Sequence, residues 1–147
     1  MRILALDVGD KTIGVAVSDP LNMFAQGVTT IERIGIKKDT SKVIDYLKEY
    51  DCGTLVIGLP TNLSGEDTIQ TEKVREFRRK IENKLMSTGM NNIKVKWHDE
   101  RFTTSIAENI LIQADVSRSK RKKVIDKQAA VIILQSYMDT AGNLKSE

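Results

Sequence analysis

The chain has 147 residues, 40% hydrophobic and 29% charged, with a net charge of +3, one cysteine (Cys52) and one histidine (His98). This length predicts one domain and excludes two large lobes, and the composition supplies a core and excludes general disorder. A lone thiol and a lone imidazole exclude a disulfide framework and a zinc cage, so any metal would be held by oxygen.

The short apolar run after Met1-Arg2 is too brief for a signal-peptide core or a membrane span. A cytoplasmic protein with no membrane partner is expected. Residues 2–7 read as a central strand covered on both faces, closed by Asp7 and by the turn residues Val8-Gly9-Asp10-Lys11. From Thr12 to Ser18 the pattern alternates: Ile13, Val15 and Val17 face one way, and Thr12, Gly14, Ala16 and Ser18 the other, which completes a β-hairpin. A third strand is predicted over Ala25–Ile31, followed by a loop at Gly35 and Lys37-Lys38.

Asp39, Thr40 or Ser41 then caps a helix bearing Val43, Ile44 and Leu47, which ends near Tyr50 because Gly53 follows. Thr54–Leu59 reads as a strand, and the loop Thr61–Gly65 leads into a long helix whose apolar face is Ile69, Val74, Phe77, Ile81 and Leu85, with Ser64 or Asp67 near its cap. Asn91–His98 alternates and reads as a half-exposed strand with Trp97 in the core. A helix start is predicted at Thr103-Thr104, and a last helix over about Val124–Ala141. The sum is an α/β mixed sheet with helices on its faces.

Ligand sites in open α/β sheets favour the carboxyl ends of strands, where Asp7 and Asp99-Glu100 fall. In the last helix Asp126 shares a face with Ala129, Ala130, Ile133 and Tyr137, and that face is expected to lie on the sheet. Taken singly, each acid has an ordinary explanation: Asp7 as a turn residue, Asp126 as a first-turn acid, Glu100 as a partner of Arg101. If the three converge, their repulsion recruits a divalent cation, and oxygen ligands favour magnesium or manganese. Such a cluster suits phosphodiester hydrolysis.

Arg118, Lys120, Arg121, Lys122 and Lys123 form the densest charge run and read either as a solvated face or as a grip on flanking phosphates. Lys11, Asn62, Ser64, Arg101, Thr103 and Thr104 are further candidates for nucleic-acid contact, with structural turns and caps as the alternative for the polar ones. His98 is read as structural, with a proton shuttle as the alternative.

Four segments together, "LALDVGDKTIGVAVSD", "LVIGLPTNLSG", "DERFTT" and "KRKKVIDKQAAVIILQSYMD", resemble the YqgF or RuvX family and span residues 4 to 139 in the family's order. The resemblance implies a ribonuclease H-like fold with a mixed five-stranded sheet flanked by helices on both faces, and the chain itself reads as a single domain over 1–142 with a frayed tail over 143–147. The resemblance also implies that Asp7, Glu100 and Asp126 are the metal-binding acids, with Mg2+ or Mn2+ as cofactor. The implied function is processing of the 5′ end of pre-16S rRNA during ribosome biogenesis, with structured RNA and ribosomal assembly intermediates as partners; Holliday junction resolution on branched DNA is the alternative. A monomer or weak homodimer is expected. Thr12, Thr61 and Phe102 stand where the family more often has arginine, a larger apolar residue and leucine. The first hairpin also resembles that of actin-like ATPases and sugar kinases, a nucleotide-binding reading that chain length opposes.

Overall fold

A computed structural model describes residues 1–60, 68–99 and 128–140. Strands β1 (Arg2–Val8), β2 (Thr12–Ser18) and β3 (Ala25–Glu32) are followed by helix α1 (Ile36–Glu49), strand β4 (Cys52–Leu59), helix α2 (Ile69–Ser87) and strand β5 (Lys94–Asp99). Residues 128–140 form a further helical segment. The strands make one sheet in the order β3-β2-β1-β4-β5. The first three form an antiparallel meander, whereas β1, β4 and β5 run parallel, joined by the helical crossovers that parallel pairing demands.

The period of two along β1 separates two cores. Leu4, Leu6 and Val8 join Ile13, Val15 and Val17 of β2, Leu55 and Ile57 of β4, and the buried stripes of α1 (Val43, Ile44, Leu47) and α2 (Val74, Phe77, Ile81, Leu85). On the other face Ala5, Ala16 and Val56 meet Ala130, Ile133, Leu134 and Met138. Ala5 and Ala16 of the sheet and Ala130 of the helix keep this interface small at that point, so the helical segment 128–140 lies close against the strands there. Gln135 fastens it: its amide oxygen accepts from the Ala25 backbone (3.0 Å) and its amide nitrogen donates to the Met23 carbonyl (3.2 Å).

Several local expectations are corrected. Helix α1 begins at Ile36, so Lys37 and Lys38 lie inside it, and its N-cap is Gly35. Asp39 is not a cap. It sits in the first turn, fully buried, and its carboxylate turns back to accept from the amides of Ile34 (3.0 Å) and Gly35 (3.4 Å) and from Arg33 Nε (3.0 Å). Thr40 and Ser41 donate instead to the Lys37 carbonyl, each at 3.0 Å. The helix ends because Asp51 takes a left-handed conformation (φ 52°), while Gly53 lies within β4.

Thr68, rather than Ser64 or Asp67, caps α2 through a reciprocal box with Thr71. Ile69 is 79% exposed because it falls in the first turn, ahead of the stripe that meets the sheet. Trp97 is half-buried at the sheet edge, with the guanidinium groups of Arg78 and Arg75 4.6 and 5.9 Å from its ring centre. Cys52 opens β4 and is buried, which pushes its thiol pKa up to about 11. The predicted helix at Thr103-Thr104 and the tail 143–147 lie outside the described residues.

Burial alone would raise the Asp39 pKa, but the two amides and the Arg33 guanidinium outweigh it and hold the carboxyl below its ordinary value. The stabilisation is therefore present above pH 4 and is lost as pH falls through the folded-state pKa. Asp39→Asn should cost about 2–3 kcal/mol at pH 7, and denaturant midpoints of parent and variant should converge as the pH is lowered through the folded-state pKa of Asp39. Ala130→Leu should cost about 1–3 kcal/mol in the same assay, because the close helix-sheet contact has no room for the added volume.

Candidate active site

The carboxyl ends of β1, β4 and β5 lie along one edge of the sheet, as the registers Leu6↔Ile57 and Leu59↔Asp99 require. Asp7 is half-buried at that edge and pairs with Gly14 of β2. Alternation along β1 puts Asp7 on the face of Ala5, which is the face covered by residues 128–140. The first part of the expected geometry is thus present: a carboxylate at a strand end, on the side of the last helix.

The backbone beyond Asp7 is tied from several directions. Gly9 donates to the Thr12 carbonyl (2.9 Å), closing a turn so tight that a Cβ at Gly9 would stand 3.0 Å from that oxygen. Gln70 of α2 donates to the Val8 carbonyl (3.2 Å), and Arg33 Nη1 donates to the Gly9 carbonyl (2.8 Å). The Arg33 backbone also donates to the Lys11 carbonyl (2.9 Å). Lys73 of α2 meets Asp10 at 3.2 Å, an exposed pair that adds little. Asp7 therefore stands on backbone secured by α2 and by the junction of β3 with α1. No spacing rule singles out Arg33 or Gln70, since their role depends on elements that meet only in the fold.

Lys11 is exposed on the same turn. Glu100, Arg101, Thr103, Thr104, Arg118, Lys120, Arg121, Lys122, Lys123 and Asp126 lie outside the described residues, as do Asn62 and Ser64. Glu100 directly follows Asp99, the last residue of β5, and Asp126 is separated by Lys127 alone from the described helical segment. Of that helix face, Ala129, Ala130 and Ile133 are fully buried and Tyr137 packs against the second core. Among the described residues no three His, Cys, Asp or Glu side chains group to hold a metal.

His98 projects toward the same helical segment, with Nε2 2.9 Å from Ser136 Oγ and its ring edge-on to Tyr137. Burial holds its pKa below the ordinary value, only partly offset by Asp99, so the ring is neutral at pH 7. Among the described residues no helix is long and apolar enough to cross a membrane.

The family described as "RuvX: Holliday junction resolvase" matches residues 1–140. A protein of Desulforamulus reducens named "Putative pre-16S rRNA nuclease" is 49% identical over 140 residues, covering 95% of this chain and 98% of that protein. One of the same name from Clostridium beijerinckii is 48% identical over 139 residues, covering 95% and 96%. Among solved structures, Thermus thermophilus RuvC in complex with Holliday junction substrate superposes with a TM-score of 0.59 at 10% identity, covering 96% of both chains. The yeast mitochondrial resolvase Ydc2 gives 0.62 at 12% identity, covering 98% of this chain and 80% of that one. Nucleases of this ribonuclease H-like fold are in general dependent on divalent metal. With a family match over nearly its whole length and the same mixed sheet as the resolvases, this chain belongs to the RuvX (Holliday junction resolvase) family of nucleases.

Proposed function

We propose that this nuclease trims structured RNA at the 5′ end of the small-subunit rRNA precursor, in the cytoplasm, on ribosomal assembly intermediates and as a monomer or weak homodimer. The observation that carries the reading is the mount of Asp7: a half-buried carboxylate at the carboxyl end of a central strand, on secured backbone, in a chain 49% identical to a relative bearing that RNA-processing name. Branched DNA is the second reading, favoured by the family's description and by the junction complex of a neighbour of the same fold. The nucleotide-binding alternative loses its ground, since the family match runs through residue 140.

Asp7, Glu100 and Asp126 are the proposed metal ligands. The described wall of the site suits a hard cation. Its donor is a carboxylate, the only thiol opens β4 opposite Arg2 at the far end of β1, and the only imidazole is engaged by Ser136. When bound, Mg2+ or Mn2+ supplies the positive charge that lowers the pKa of a water and offsets charge on the phosphodiester oxygens. The chain's part is to hold the carboxylates in place and to cover one flank of the site with the helical segment 128–140. Lys11, Asn62, Ser64, Arg101, Thr103 and Thr104 are assigned to sugar and phosphate contacts, and Arg118 with Lys120–Lys123 to phosphates flanking the cleaved bond.

Labelled precursor RNA and a four-way DNA junction, each incubated with Mn2+, test the assignment. Asp7→Asn should lower cleavage of the preferred substrate at least about a hundredfold with circular dichroism unchanged; undiminished cleavage would remove Asp7 from the site. Faster cleavage of the junction than of the RNA would give the substrate to branched DNA. His98→Gln should retain cleavage, and an NMR titration of the parent should place the His98 midpoint below 6.5.

A further inference from the structure

On the opposite side of the sheet from Asp7, α1 and α2 enclose a cleft of about 220 Å³ lined by Ile36, Lys37, Thr40, Lys80 and Lys84. Three of its five lining residues are lysines, and none is acidic. Among the described residues, none of the three takes part in an ion pair within 4 Å. Lys84 is held in place: its ammonium donates to Ser41 Oγ and reaches the Lys37 carbonyl at 3.4 Å, so one cation is positioned between the two helices. Lys37 and Lys80 are exposed beside it.

One wall of the cleft is the start of a helix. Ile36 and Lys37 belong to the first turn of the 14-residue helix α1, whose N-cap Gly35 offers no side-chain cap. The one acid of that turn, Asp39, directs its carboxylate to the Ile34 and Gly35 amides and to Arg33. The Asp39 carboxylate thus already compensates the positive end of α1, and the attraction of the cleft for an anion comes from its three ammonium groups. The neighbouring depression, which shares Ile36, is of mixed charge, since Asp10, Asp39, Glu72 and Glu76 line it together with Arg33 and Lys73. Only the Lys37–Lys80–Lys84 end is lined by cations without an acid beside them.

We propose that this cleft binds a backbone phosphate of the nucleic-acid substrate, remote from the bond that is cut. The inference rests on the nuclease reading above, which brings a polyanion to the molecule. It adds an anchoring point on the helical face opposite Asp7, so that a substrate engaging both wraps around an edge of the sheet. Such binding is blind to sequence and sensitive to salt, because each phosphate neutralised releases condensed counterions.

The test measures binding of the precursor RNA and the four-way junction from 50 to 200 mM salt. It uses the full chain carrying Asp7→Asn, with and without Lys37→Gln and Lys80→Gln; Lys84 is kept because it links the helices. The double lysine variant should melt as its parent does, and its log-log salt slope should be shallower by about 0.7–0.9 for each phosphate that the cleft no longer neutralises. Lys37→Arg with Lys80→Arg should restore the slope. Inorganic phosphate alone should shift the Thr40 amide resonance in the parent and not in the glutamine variant. Nucleic-acid binding with an unchanged slope in the glutamine variant overturns the cleft and leaves the nuclease reading standing. A saturable phosphate shift with that unchanged slope makes it a free-anion site and likewise overturns the proposal. Absence of all nucleic-acid binding in the parent overturns both.

Discussion

A buried carboxylate organises the half of the molecule that supports Asp7. Asp39 has no exposure to water, and it compensates for lost hydration by accepting from two backbone amides and a guanidinium. Arg33, held in that way, lies over the Phe77 ring at 5.2 Å and reaches the Gly9 carbonyl. One ion pair thus joins the start of α1, the end of β3, the core stripe of α2 and the turn after β1. Its worth lies less in Coulomb energy, much of which desolvation cancels, than in removing alternative positions for four elements at once.

The turn so held continues β1, the one described strand that pairs antiparallel on one side and parallel on the other. Full burial of Leu4, Ala5 and Leu6 leaves it no freedom to slip, since a shift of one residue would exchange the two cores. Large side chains face α1 and α2, and Ala5, Ala16 and Val56 face the helical segment 128–140. The asymmetry decides where chemistry can occur. A helix resting on alanines comes close to the strands, and Asp7 lies on that side.

Among the described residues the five strands and the helices were legible from period-two and period-3.6 patterns, and so was the division of β2 into a large and a small face. What escaped was set by partners distant in sequence. Asp39 reads as a cap by residue type, yet Arg33 and a preceding glycine move the helix start upstream and turn its carboxylate backward. Asp51 ends α1 in place of Gly53 because an aspartate tolerates the left-handed conformation. Ile69 matches the apolar stripe by spacing and is nevertheless exposed, since the helix meets the sheet only from Thr71 onward. Of the candidate site, the acidic identity and strand-end position of Asp7 were readable; the hydrogen bonds from Arg33 and Gln70 that secure its backbone were not.

The place of Cys52 has a practical side. With its pKa near 11, only about one molecule in ten thousand carries the thiolate at pH 7, and the sulfur is packed at the head of β4. A thiol so placed is a poor nucleophile at neutral pH. A cysteine introduced at an exposed position would be the single labelling point, and fluorophores or spin labels placed one at a time could follow substrate without first removing the native residue.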